Sequence, residues 1–168
     1  MASRFDAGFT AYRIVRGGVP VFDGSGAFRW GGRWTSPGRY FIHAAESYAL
    51  ALLESMVHFN LAAMPPHLSA VPLRIPADVP REVLGAHDLA GWDAPAPYSA
   101  SRQHGDRWYD ERRTAVVVVP SVLSPFECNV LIHQEHPDAR SIEVGDSVPA
   151  TLDEKLRAFL GRTKGRRS

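Results

Sequence analysis

Cysteine is nearly absent from this chain, with Cys128 alone among 168 residues. One thiol closes no internal disulfide and supports no multi-cysteine zinc site. It fits a reducing compartment. A charge of one sign is also missing. Nineteen Lys and Arg face eighteen Asp and Glu, a net +1, so no global field draws the chain to nucleic acid or to an acidic membrane. No apolar run reaches about 18 residues, so no membrane span is expected. Residues 1–13 lack an apolar h-region, so no secretory signal is expected. Internal repeats and low-complexity blocks are absent as well. A cytoplasmic location follows as the expectation. At 168 residues with 45% hydrophobic content, the chain is long enough for one domain with a sizeable core.

The usual signatures of nucleotide and acyl chemistry are missing too. There is no Gly-x-x-x-x-Gly-Lys phosphate loop and no Gly-x-Gly-x-x-Gly between a strand and a helix. Ser121, in Val118-Val119-Pro120-Ser121-Val122, is not in a Gly-x-Ser-x-Gly elbow, so it is no nucleophile. It remains a candidate hydrogen-bond donor to a ligand, or a turn residue.

What is there begins with glycine. Residues 17–38 hold seven glycines, a turn-rich region where backbone can approach a ligand closely. Arg33 lies within it, in Gly31-Gly32-Arg33-Trp34. A guanidinium there suits forked binding of phosphate, although a surface loop arginine has the same pattern. Tyr40 to Ala44 reads as a strand. Ser47 is a candidate N-cap for a helix running to about Asn60, ended by Pro65 and Pro66. Apolar residues cover nearly its whole circumference, which predicts a mostly buried helix. Glu54 is the lone carboxylate on it, with His58 one turn on. Burying a charge is costly unless something compensates it, so Glu54 is a site candidate. The plain alternative is an exposed stripe with a Glu54–His58 pair. His43, at the strand end, offers a general acid or base, a ring to stack on a ligand, or a structural hydrogen bond.

Elsewhere, Tyr12 to Val15 is a short strand. Val71, Leu73 and Ile75 alternate with Pro72 and Arg74, which predicts an edge strand. Residues 76–100 read as a long irregular loop, a candidate lid or flap. Ser101 to Arg113 has helical character with Trp108 facing inward, and Ala115 to Val119 is a β-branched central strand. Asn129 to Ile132 and Ser141 to Val144 are further strands. Residues 152–161 suggest a last short helix, and 162–168 form a basic tail expected to be disordered. The spacing of His133, His136 and Asp138 raises a metal site, but no second ligand cluster accompanies it, and no metal is expected. Strands and helices without a βαβ rhythm predict an α+β domain.

Taken in order, these segments resemble the RES domain family, whose members are mostly toxins of Xre–RES toxin–antitoxin pairs. The residues that carry the likeness are Tyr12-Arg13-Ile14, the turn Gly31-Gly32-Arg33-Trp34-Thr35-Ser36-Pro37-Gly38, and the helix Ala45-Glu46-Ser47-Tyr48-Ala49-Leu50-Ala51-Leu52-Leu53-Glu54. Gly105-Asp106-Arg107-Trp108, Val119-Pro120-Ser121, Asn129-Val130-Leu131-Ile132, His136-Pro137-Asp138 and Asp153-Glu154-Lys155-Leu156 follow. The resemblance implies a single RES domain over residues 1–161, with ADP-ribosyltransferase-like mixed sheets and flanking helices. It implies a toxin that cleaves NAD+ at the nicotinamide–ribose bond, by hydrolysis or phosphorolysis, with NAD+ as substrate and no further cofactor. Transfer of ADP-ribose to a macromolecule would use the same residues. A non-catalytic or RNA-directed module using the basic tail is a third reading. The resemblance further implies an Xre-type antitoxin that covers the active site and is the only route to nucleic acid. A homodimer is compatible with it.

Carried over by position, Arg33 would bind and orient the nucleotide, Glu54 would be the catalytic carboxylate, and Ser121 would line the pocket. His43 stands where the family usually has tyrosine. Its imidazole can still stack on nicotinamide but titrates near neutrality; Tyr40 or Tyr48 is a candidate replacement ring. His133-Gln134 replaces the family's usual Asn-Pro, which reshapes a loop.

Overall fold

A computed structural model describes residues 3–59 and 67–155. The strands are β1 (Phe9–Arg16), β2 (Phe41–Ala45), β3 (Leu68–Ile75), β4 (Arg81–Val83), β5 (Val116–Pro120), β6 (Cys128–His133), β7 (Glu143–Val144) and β8 (Val148–Pro149). The helices are α1 (Ser25–Trp30), α2 (Tyr48–His58) and α3 (Ser99–Glu111). All eight strands join one sheet in the order β4-β5-β6-β2-β1-β3-β7, with β8 also on β3. Among the described residues only β4 and β5 pair in parallel. The domain is therefore α+β, as its sequence leads one to expect.

Period-two alternation in the central strands sorts side chains onto two faces. Ile42, Ala44, Val116, Val118, Val130 and Ile132 enter one large apolar core. On the other face, register aligns Val119, Asn129 and Ala45 in one row and Val117, Leu131 and His43 in the next. That second face carries the polar residues. Helix α2 packs on it through Leu50 and Ala51, against Tyr12, Ile14 and Ala45.

Several local expectations need correction. Helix α2 is capped by Ser47, whose Oγ accepts from Leu50 N–H at 3.0 Å, but it is not buried all round. Tyr48, Leu53 and Val57 are exposed, because the helix covers the sheet with one side only. It ends at His58; Pro65 and Pro66 lie outside the described residues. Strand β3 is not an edge. It pairs with β1 along its whole length and with β7 and β8 on the other side. Pro72 fits there because it sits between those two short pairings, where only its carbonyl is used, by Gly145 N–H at 2.9 Å. The segment 76–100 contains strand β4. Residues 137–141 form a 3₁₀ turn, and only Glu143–Val144 are strand. Helix α1 arises inside the glycine-rich region, which reads from sequence as turn-rich with no helix in it. Of the short helix expected over residues 152–161, Glu154 and Lys155 are helical; residues 156–161 and the basic tail fall outside the described residues.

Helix α3 is pressed against the turn that carries Arg33. A Cβ on Gly105 would lie 1.7 Å from the Trp34 carbonyl oxygen. Gly105→Ala should therefore destabilise the fold by about 2 kcal/mol or more, the upper range of overpacking. Gly26→Ala, in helix α1 with nothing within 4 Å of its Cβ position, should be neutral or stabilising by up to about 1 kcal/mol. Urea unfolding of the two variants checks both.

Candidate active site

The turn 31–38 is built by backbone bonds and clamped by α3. Gly31 takes φ +63°, a conformation glycine adopts without strain. Gly32 N–H donates to Thr35 O at 2.8 Å. From α3, Arg102 Nε donates to the Gly32 carbonyl at 2.9 Å and Ser101 Oγ to the Arg33 carbonyl at 2.7 Å. Asp106 accepts from Ser36 N–H and Oγ, each at 2.7 Å. The Arg33 side chain is held in turn by the 76–98 segment. Its Nη1 donates to the carbonyls of Ala94 at 2.8 Å and Trp92 at 3.2 Å. Its guanidinium lies 4.5 Å from the Tyr98 ring centroid. The expected flap is thus the cradle of Arg33.

Arg33 borders a cleft of about 320 Å³, together with Arg13, His43, Glu54, His58 and Asn129. That volume is at the small end for cofactor-sized ligands. Trp34, Phe41 and Leu131 give it apolar walls. Glu54 reaches in from α2. Its Oε1 accepts from Asn129 Nδ2 at 2.7 Å and from Ser121 Oγ at 2.9 Å. Hydrogen bonds to a charged group contribute about 1.5–3 kcal/mol each. Two of them outweigh the roughly 2 kcal/mol of glutamate rotamer freedom, so the carboxylate is fixed. Oε2 takes no hydrogen bond from the described residues. The alternative reading, a Glu54–His58 pair, is not formed among them.

Ser121 stands behind Glu54 and does not line the cleft. It is 3% exposed, and its Oγ accepts from Leu123 N–H at 3.0 Å, which turns its proton toward Glu54. Tyr48 is not a lining residue either. Tyr40 stacks on Phe28 at 4.4 Å, away from the lining set. Neither tyrosine supplies a ring there. His43 does line the cleft, and its ring is open to it. Protein surrounds the ring on its other sides, and this desolvation holds the imidazole below its ordinary pKa. Glu54 opposes the shift, while Arg13 and His58 add to it. The ring is therefore neutral at pH 7.

Two residues were not singled out in the sequence. Arg13 follows the single register pair of β1 with β2, Tyr12 with Ala45. Its Nη2 donates to the Asp23 carbonyl at 2.9 Å, while its buried Nη1 has no partner among the described residues. Burial lowers its pKa to about 10, against the pull of Asp23. It stays charged at pH 7 and lacks an anion at Nη1. Asn129 is the second such residue. The only available signal for either was a polar residue in an apolar strand.

His133 and His136 do not converge on a metal. His133 stacks on Tyr109 at 3.9 Å, and its Nδ1 accepts from Glu135 N–H. His136 Nδ1 accepts from Asp138 N–H. Among the described residues no group of three His, Cys, Asp or Glu is placed to hold a metal ion. Gln134 accepts from Gly24 N–H at 2.7 Å, fixing the residue before α1. No helix among the described residues is long and apolar enough to cross a membrane.

Comparison with known families assigns residues 10–153 to the RES domain. The chain belongs to the RES domain family. It is 40% identical over 127 residues to a protein named Prs ADP-ribosylating toxin from Sphingobium sp. strain YBL2, covering 71% of this chain and 76% of that one. It is 30% identical over 125 residues to Toxin Res of Photorhabdus laumondii, covering 73% and 80%. Its fold matches a chain in the crystal structure of the M. tuberculosis MbcT–MbcA toxin–antitoxin complex. The TM-score is 0.72 at 17% identity, over 92% of this RES domain chain and 90% of that one.

The depressed imidazole gives a pH signature. His43, and likewise His133 and His104, titrate below their unfolded value. The unfolded chain then binds more protons, so stability is full above the unfolded imidazole pKa of about 6.5 and falls as pH drops below it. His43→Asn should flatten part of the loss in unfolding free energy between pH 7 and pH 5, measured by urea titration at each pH.

Proposed function

We propose that this RES domain is the toxin of a toxin–antitoxin pair and degrades NAD+ by cleaving the nicotinamide–ribose bond. The observation that supports this best is Glu54, fixed through Oε1 with Oε2 free, in a cleft edged by Arg13 and Arg33. Breaking the C–N bond sends its electron pair to nicotinamide and leaves an oxocarbenium-like ribose. A fixed carboxylate stabilises that positive charge without reorganising. Nicotinamide is cationic before it leaves and neutral afterwards, so no general acid is needed. The buried Nη1 of Arg13, unpartnered among the described residues, suits a pyrophosphate oxygen. Arg33 orients the nucleotide from the turn, and neutral His43 offers a flat ring to nicotinamide.

Water as acceptor gives ADP-ribose and a proton; phosphate gives ADP-ribose 1″-phosphate. Transfer to a macromolecule is the second reading, favoured by the name of the Sphingobium relative, an ADP-ribosylating toxin. Purified protein incubated with labelled NAD+, with and without phosphate and then with lysate, separates the three. Free label supports degradation, and label on protein or nucleic acid supports transfer. Glu54→Gln should keep the fold and lower NAD+ loss by at least about a hundredfold. Normal NAD+ consumption by that variant would sink the assignment.

The antitoxin partner is read from the solved toxin–antitoxin neighbour and from the rim of the cleft. Trp30, Val57 and Val122 are 74%, 58% and 43% exposed. Val122 lines the cleft, and the other two adjoin lining residues Gly31 and His58. Such a rim suits an apolar partner surface that closes the cytoplasmic enzyme. Trp30→Glu with Val57→Glu should leave NAD+ loss near normal and weaken inhibition by the antitoxin about tenfold or more, read by titrating activity with the neighbouring gene product.

A further inference from the structure

Asn129, a cleft-lining residue, carries a buried acceptor that no described residue uses. The residue is 5% exposed yet lines the cleft. Its Nδ2 donates to Glu54 Oε1 at 2.7 Å, and its buried Oδ1 has no hydrogen-bond partner among the described residues. The amide cannot be reversed to cure this. Glu54 Oε1 only accepts, so reversal would set two oxygens against each other. The neighbouring strands offer nothing, because Val119 and Ala45 flank Asn129 in its row. A buried amide oxygen left unpaired is costly, and such groups in native proteins call for a partner.

We infer that Asn129 is a substrate-binding residue whose Oδ1 accepts a hydrogen bond from the 3′-hydroxyl of the ribose bearing the scissile bond. This rests on the NAD+-cleavage reading above. Glu54 and Asn129, joined through the Nδ2–Oε1 bond, then offer the ligand one acceptor each, Oε2 and Oδ1. Two such acceptors match the two donors of a vicinal cis-diol, with the 2′-hydroxyl on the carboxylate. The site thereby demands a ribose with both hydroxyls. Because the same amide group also holds Glu54, ring position and carboxylate position are set by one side chain.

The test compares NAD+ with its analogue lacking the 3′-hydroxyl on the nicotinamide ribose. The wild type should lose about tenfold to a hundredfold in kcat/KM on the analogue, the usual effect of leaving a buried polar group unpaired. Asn129→Ala should be slower on NAD+ and indifferent to the 3′-hydroxyl, with a ratio near one. Asn129→Asp keeps an oxygen facing the ligand. It should keep the discrimination while its rate becomes newly pH-dependent, since two carboxylates then adjoin. If Asn129→Ala does not fold, loss of 3′ discrimination in Asn129→Asp overturns the proposal. Discrimination retained in Asn129→Ala overturns it too, leaving Asn129 as a positioning residue for Glu54 alone. So does insensitivity of the wild type to the 3′-hydroxyl with sensitivity to the nicotinamide carboxamide. A wild type that consumes no NAD+ at all overturns the underlying functional reading instead.

Discussion

Everything near the site hangs on the contact between Gly105 and the Trp34 carbonyl. Only hydrogen fits at that point, so α3 can lie directly on the turn. Lying there, it delivers Ser101, Arg102 and Asp106 to three successive parts of the turn. The turn's own backbone bond, Gly32 N–H to Thr35 O, is supplemented by these side-chain bonds, which clamp its shape. Trp34 also stacks on Trp92 at 6.0 Å, which draws the 76–98 segment over the Arg33 side chain. Arg33 is thus set by contacts with α3 and with the segment before it. A loop arginine loses considerable conformational entropy on ordering, and here two carbonyls and the Tyr98 ring offset it.

The second constraint is electrostatic. The cleft gathers Arg13 and Arg33 on one side of the charge balance and Glu54 on the other, with neutral His43 between the strands. A protonated His43 would add a third cation to a desolvated space, and this is why burial and Arg13 both depress its titration. Among the described residues Arg13 is left one hydrogen bond short, and Glu54 has one oxygen without a partner. Unmet donors beside an unmet acceptor suit a ligand that is anionic at one end and carries hydroxyls or positive charge at the other. Nicotinamide dinucleotide has that distribution, with its pyrophosphate and its cationic ring.

The sequence made some of this plain and hid the rest for physical reasons. The β-branched run before Pro120 and the Ser47 cap were legible because each is a local preference. Glu54 stood out because a carboxylate in an apolar helix is costly. The all-round burial of α2 was misread because apolar residues such as Leu53 and Val57 also occupy surfaces. Pro72 suggested an edge because a missing donor is visible in sequence, whereas the split pairing that accommodates it is not. Ser121 was expected as a pocket wall; only its bond to Leu123 N–H shows that it faces Glu54. Arg13 and Asn129 escaped notice because what distinguishes them is an unmet hydrogen bond, and residue type alone never shows a partner's absence.

On the proposed reading, the way Glu54 is held also bears on the acceptor. Two donors on Oε1 occupy that oxygen's lone pairs and fix the direction of the carboxylate. A carboxylate so fixed is a better electrostatic stabiliser than nucleophile, so the ribosyl cation is captured from outside by whatever reaches the cleft. Ser121 does not compete as a nucleophile, because it is turned away from the cleft and engaged. Choice among water, phosphate and a macromolecular group then depends on access at the mouth, where exposed Val122 lines the cleft and exposed Trp30 and Val57 are chain neighbours of lining residues Gly31 and His58. A partner that covers this rim would block all three acceptors and the substrate at once. Control by occlusion therefore needs no change in the catalytic residues, which can stay fully assembled in the inhibited protein.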